Sequence, residues 1–116
     1  MARVLSPHGY TVHIVPVRRC LHLKSAVTAL SDDTLLINRE WVPAELFRPL
    51  SLLDVHPAEP DGANALRVGD AVIYPEAFPR TRARIEALGL RVLDVDVSEL
   101  AKAEGAVTCC SLQLEV

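Results

Sequence analysis

Two apolar hairpins, each followed by a helix candidate and one more strand, limit the fold more than any other feature. Ala26-Val27-Thr28-Ala29-Leu30 and Thr34-Leu35-Leu36-Ile37-Asn38 read as strands around a Ser31-Asp32-Asp33 turn, where short polar side chains can bond their own backbone. Both strands are almost uniformly apolar, which suits a sheet covered on both faces. Trp41–Phe47 is a short helix candidate. Pro43 fits its first turn, where the missing N–H costs nothing, and Trp41, Ala44 and Phe47 fall at helical spacing as a core stripe. Leu50–Val55 completes the set as a strand.

The second set begins at Asn64–Val68 and Ala71–Tyr74, which flank Gly69-Asp70, a short-range hairpin signal. Pro79–Leu88 is the clearest helix. Pro79 suits its first turn, Ala83, Ile85 and Leu88 supply an inward stripe, and Gly89 suits the left-handed position after its end. Arg91–Val97 follows as a strand. The order hairpin, helix, strand therefore occurs twice, a weak internal repeat of a ββαβ unit. It predicts an α/β protein with mixed sheets, not a doubly wound nucleotide fold. No Gly-x-Gly-x-x-Gly or phosphate loop is present, so nucleotide binding has no support.

The connecting stretches carry other expectations. Leu5-Ser6-Pro7-His8-Gly9 reads as a helix end and turn with almost no helix before it, as if the chain started late or continued a longer protein. Tyr10–Val17 reads as a strand whose regular pairing Pro16 ends, with His13 a solvent-facing or satisfied strand histidine. His56-Pro57-Ala58-Glu59-Pro60-Asp61-Gly62 reads as an exposed, mobile loop with Glu59 and Asp61 as solvated charges, or else as a rim for a cationic ligand. Ser98 reads as the cap of a single helical turn over Ser98–Lys102. After a turn at Glu104-Gly105, Ala106–Leu112 reads as a strand, which puts Cys109 and Cys110 on opposite faces.

With 116 residues, half of them hydrophobic, the chain has enough for one domain and not two. Its formal charge of -3 gives no strong draw toward nucleic acid or anionic membrane. The only arginine cluster, Arg80, Arg82 and Arg84, is spread around a helix by its i, i+2 spacing. No apolar run approaches the roughly 20 residues of a spanning helix, and Met1–Pro7 lacks a signal peptide's apolar stretch. A cytoplasmic location with reduced thiols is expected. Three cysteines at this spacing match no zinc signature and argue against a disulfide framework. A thiol held just after a glycine turn is a plausible nucleophile if a base or cation lies close. His22, in Cys20-Leu21-His22-Leu23-Lys24-Ser25, is the best candidate partner for Cys109.

Leu21-His22-Leu23-Lys24-Ser25, with Thr28 and Asp33-Thr34-Leu35-Leu36, resembles the histidine motif of the dimethylarginine dimethylaminohydrolase family. Leu100-Ala101-Lys102, Gly105 and Thr108-Cys109-Cys110-Ser111-Leu112 resemble its C-terminal nucleophile motif, and Ala63-Asn64-Ala65-Leu66 and Tyr74-Pro75 between them also fit. The resemblance implies a pentein fold, a five-bladed α/β propeller of ββαβ modules, of which residues 1–116 would form a single partial domain, about the C-terminal half. It implies hydrolysis of methylated arginine to citrulline and a methylamine, without a cofactor or metal. By position, Cys109 would be the nucleophile, His22 the general acid/base, and Ala103 a substrate contact through its backbone. Glu104 stands where many relatives carry Asp.

The carboxylates and arginine that grip the substrate in the family belong to its other half. Self-association, or a partner supplying the rest, is therefore expected, because open sheet edges and apolar surface are normally covered. Two other readings stand beside the hydrolase. One is an inactive fragment or association module. The other is a different guanidine-modifying enzyme, of the arginine deiminase or amidinotransferase type.

Overall fold

The computed structural model describes residues 1–114. Two three-stranded sheets are built alike. In the first, β1 (Val27–Ala29) pairs antiparallel with β2 (Thr34–Ile37), and β2 pairs parallel with β3 (Ser51–Asp54). In the second, β4 (Leu66–Val68) pairs antiparallel with β5 (Ala71–Pro75), and β5 pairs parallel with β6 (Arg91–Val95). A helical crossover joins each parallel pair, as parallel neighbours require. The repeated ββαβ order and the mixed α/β sheets are thus present.

The connectors differ. Between β2 and β3 lies a 3₁₀ segment, Ala44–Phe47, with Pro43 just before it in extended backbone. The expected helix over Trp41–Phe47 is thus shorter, and Pro43 precedes it instead of opening it. The stripe still packs: buried Trp41 with half-buried Ala44 and Phe47 joins a cluster of Ala26, Val27, Ile37 and Val42. The second crossover contains an α-helix, Pro79–Glu86, with Pro79 in its first turn and Gly89 left-handed beyond its end (φ 82°). Its buried face is Thr81 and Ile85, four residues apart, while Ala83 and Leu88 lie outside. The expected stripe mixed two faces, because a two-residue step turns roughly 200° around a helix of 3.6 residues per turn.

Alternate residues of β2 serve two cores, as a doubly covered strand should. Leu36 enters a cluster with Leu30, Val55, Ala63, Ala65, Val72, Tyr74 and Ile85, which joins the two sheets. Ile37 enters the Trp41 cluster on the other side. Tyr74 is fully buried, and its hydroxyl donates to the Gly62 carbonyl. Burial drives that hydroxyl's pKa well above the usual tyrosine range.

Three expectations for the connecting stretches change. Tyr10–Val17 forms no ladder among the described residues. Tyr10 N–H donates back to Leu5, Val15 and Val17 lean on the Trp41 cluster, and the next link is Arg18 N–H to the Trp41 carbonyl (2.8 Å). Pro16 has no N–H to offer a strand there. Residues 56–62 are folded into hydrogen-bonded turns instead of hanging free: Glu59 N–H reaches the His56 carbonyl and Gly62 N–H the Glu59 carbonyl. Glu59 is not merely a solvated charge, because its carboxylate accepts the N–H groups of Arg80 and Thr81 (3.0 and 2.7 Å) at the start of the Pro79–Glu86 helix. Ser98–Ala101 is the expected short helical turn, but Asp96 caps it by accepting the Ser98 N–H (2.8 Å). At the other end of the chain, Ala2–Leu5 makes one helical turn, Ser6–His8 a 3₁₀ turn, and Gly9 is left-handed (φ 80°).

Candidate active site

The two stretches singled out by their chemistry come to the same region of the molecule. His22 precedes a 3₁₀ turn, Leu23–Ser25, that leads directly into β1. Its backbone is extended, its carbonyl accepts the Ser25 N–H, and its imidazole is exposed. The turn is short because Ala26 and Val27 must enter the core next.

Cys109 does not lie on a strand. Glu104 takes a left-handed conformation (φ 59°), Gly105 N–H closes back on the Leu100 carbonyl, and residues 107–110 form a turn closed by Cys110 N–H to the Ala106 carbonyl (3.0 Å). The period-2 argument therefore fails here, and both Cys109 and Cys110 are exposed. A β-favouring composition lost to a local i→i+4 bond and to one distant side chain. Val107, beside it, is the buried anchor of the turn.

That distant side chain is Asn64, 5% exposed. Its Nδ2 donates to the Lys24 carbonyl (2.9 Å) and to Thr108 Oγ1 (2.8 Å), while its Oδ1 accepts the Thr108 N–H (3.2 Å). One buried amide thus ties the His22 segment to the Cys109 turn. A second tie fixes the approach of β4 to β1: buried Thr28 donates to the Ala63 carbonyl (2.6 Å) and accepts the Ala65 N–H (3.0 Å). Residues 63–65 are in this way held from both sides, and Asn64 is aimed by its neighbours' bonds.

An open cleft of about 960 Å³ lies over this junction. His22, Cys20, Asp61, Asn64, Trp41 and Phe78 line it, as does the whole stretch Ala103–Ala106. His22 and Ala103 share the cleft; Cys109 is on the turn just beyond Ala106 and is not part of its lining. Thr108 Oγ1 is 3.9 Å from Cys109 Sγ. Cys20, by contrast, is partly buried, which raises its pKa, and its Sγ–H donates to the His22 carbonyl (3.4 Å). Residue chemistry pointed to His22 and Cys109, and the family resemblance alone to Ala103. The role of Asn64 could not be read there: it stood in the sequence only as one residue of the matching Ala63-Asn64-Ala65-Leu66 stretch, with no chemistry of its own.

No family model matches the chain. Comparison with known proteins gives a consistent answer all the same. N(G),N(G)-dimethylarginine dimethylaminohydrolase of Pseudomonas aeruginosa is 36% identical over 113 residues, which cover 97% of this chain and 44% of the relative. The structure of that organism's enzyme, a cysteine-to-serine mutant complexed with citrulline, matches with a TM-score of 0.82 at 32% identity, over 93% of this chain and 42% of the other. A histidine-to-glycine variant of a dimethylarginine dimethylaminohydrolase, as its adduct with S-methyl-L-thiocitrulline, matches with a TM-score of 0.84 at 34% identity, over 93% and 42%. The α/β backbone is therefore a pentein backbone. By sequence and fold together the chain belongs to the dimethylarginine dimethylaminohydrolase family, and it spans less than half the length of the relatives it matches.

Proposed function

We propose that this chain is the nucleophile-bearing part of an amidine hydrolase that converts methylated arginine to citrulline and a methylamine. In this reading its two ββαβ units are modules of a five-bladed propeller, about half of one, and the rest of the propeller closes the cleft. The observation that carries the proposal is the Asn64 junction, which ties the His22 segment to the Cys109 turn at the edge of a cleft lined by His22 and Ala103. Relatives of the same backbone hold citrulline and a thiocitrulline adduct, and a cysteine and a histidine were the residues replaced in them.

The chemistry follows from the electronic nature of a guanidinium. Its carbon is a poor electrophile because the charge is delocalised, so a thiolate is a better attacker than water. Cys109 as thiolate forms a C–S bond to that carbon. His22 in its protonated form gives its proton to the methylated nitrogen as the C–N bond breaks, and the amine leaves. His22, now neutral, takes a proton from water as the oxygen attacks the same carbon. The C–S bond then breaks, which returns the thiolate, and the oxygen's remaining proton passes to solvent as citrulline is released. The substrate's own cation favours the thiolate by proximity, so the thiol need not be ionised in the empty site. The Ala103 backbone would orient the substrate's amino-acid end.

The chain presents much apolar surface: Ile14 is 90% exposed and Leu21 77%. That surface fits association with a second polypeptide or a second copy. No helix among the described residues is long and apolar enough to cross a membrane. The test is citrulline release from dimethylarginine by the chain alone and by the chain mixed with a polypeptide covering the remaining length of the Pseudomonas relative. We expect turnover in the mixture, reduced about a thousandfold or more by Cys109→Ser or His22→Ala. A mixture that co-elutes as a complex on gel filtration yet releases no citrulline would end this reading.

A further inference from the structure

We propose that Asn64 and Thr108 form a positioning relay that holds Cys109 reactive; the inference rests on the reading of Cys109 as nucleophile and adds two residues to it. Asn64 is buried, and three of its four hydrogen-bonding positions are used on segments 40 and 44 residues away in sequence. Such a group is costly to bury unless it is fully engaged, so its bonds are strongly directional constraints on both segments. The direction of the bonds matters as much as their number. Asn64 Nδ2 donates to Thr108 Oγ1 at 2.8 Å, which occupies a lone pair of the hydroxyl. The hydroxyl hydrogen is left to donate elsewhere, and the Cys109 sulfur is 3.9 Å away. The relay as inferred has the hydroxyl turn this hydrogen, its positive end, to the sulfur.

The same amide reaches the Lys24 carbonyl at 2.9 Å, two residues after His22. Asn64 therefore does two things at once. It fixes the distance between the imidazole's segment and the thiol's turn, and it aims the Thr108 hydroxyl. Neither Asn64 nor Thr108 touches a reacting carbon in this arrangement, so both act through Cys109 and His22. The bonds that seat residues 63–65 against Thr28 make the clamp rigid.

The experiment reads the alkylation rate of each cysteine with iodoacetamide, by peptide mass spectrometry, from pH 6 to 10. In the native chain Cys109 should react at least about tenfold faster than Cys20 and Cys110 near neutral pH. Thr108→Val keeps the N–H to Asn64 Oδ1 but removes the hydroxyl. It should slow Cys109 about tenfold near neutral pH, and the loss should vanish at alkaline pH, where any thiol is ionised. Thr108→Ser, which keeps the hydroxyl, should restore the rate. Asn64→Asp replaces two donors by an anion and should slow Cys109 at least as much.

Melting curves recorded alongside separate folding from reactivity, because a purely structural role would make Thr108→Val and Thr108→Ser differ in stability and not in pH profile. If Asn64→Asp fails to fold, the Val and Ser pair at position 108 still decides. Equal reactivity of all three cysteines in the native chain overturns the relay and leaves the nucleophile reading to the citrulline assay. Selective Cys109 reactivity that survives Thr108→Val at every pH overturns the relay alone.

Discussion

The two ββαβ units of this protein share a topology and differ in how each is held. In the first, side chains reinforce the backbone bonds of the Ser31–Thr34 turn: the Ser31 and Thr34 hydroxyls donate to the Asp33 carboxylate (2.7 and 2.9 Å). In the second, the hairpin turns through Gly69 at φ 60°, a backbone solution that only glycine adopts without strain. The crossovers differ in the same spirit. Ala44–Phe47 is a 3₁₀ segment held by apolar packing on Trp41, whereas Pro79–Glu86 is an α-helix whose first free N–H groups are met by Glu59 from a preceding loop. One topology therefore tolerates different local chemistry, provided the strands it joins can bury the same faces.

The comparison is most strongly tested at the core the two units share. Leu36 lies in it with Val72, Tyr74 and Ile85 of the second unit. Leu36→Ala should cost about 3 kcal/mol. Because the cavity opens between the units, a urea titration followed by circular dichroism and by Trp41 fluorescence should still show one coincident transition. Two separate transitions would mean that the units fold independently.

The hairpins offer a smaller contrast. Gly69→Ala should destabilise by about 1.5 kcal/mol, since a left-handed conformation costs a residue with a β-carbon roughly that much. The same measurement on Asp33→Ala should show a loss that fades in acid. Asp33 is held below its usual carboxyl pKa by the Ser31 and Thr34 hydroxyls, so its contribution is present at neutral pH and disappears as the carboxyl protonates. Gly69→Ala should show no such pH dependence, and a parallel acid trend in both variants would break the distinction between the turns.

The smallest effect concerns the helix cap. Glu59→Ala should cost about 1 kcal/mol at neutral pH. Partial burial alone would raise the Glu59 pKa, but the amides of Arg80 and Thr81 outweigh it and hold it below the ordinary value of 4.5. A pKa lowered by folding means that the stabilisation is complete above the unfolded value and is lost as pH falls through the folded one. Melting temperatures of the native and Glu59→Ala chains should therefore converge below pH 4.5. A constant gap down to acid pH would assign Glu59 a packing role instead.

Much of this architecture was legible along the chain. Apolar runs of strand length, Gly69 in a two-residue turn and Pro79 before an amphipathic stretch are signals that act within a few residues. The side chains proposed here as reactive were also marked, because His22 and Cys109 sit in motifs that resemble a known family. What failed did so for identifiable reasons. Tyr10–Val17 has strand composition but no partner strand among the described residues. Ala106–Leu112 has it too, yet a left-handed Glu104 and the capture of Thr108 by Asn64 turn the chain instead. Glu59 looked like a solvent charge because its partners, Arg80 and Thr81, lie 21 and 22 residues on.

The amino-acid order by itself determined the strands of the two hairpin units, the repeated ββαβ plan and the kinds of chemistry available, because periodicity, turn residues and side-chain reactivity are local properties. Only the folded chain decided that Cys109 lies on a turn, that Ala103 lines a cleft with His22, and that Asn64 joins their segments. Such bonds link groups 40 or more residues apart. Their existence depends on which faces the two sheets bury against each other, and no short window of sequence contains that information.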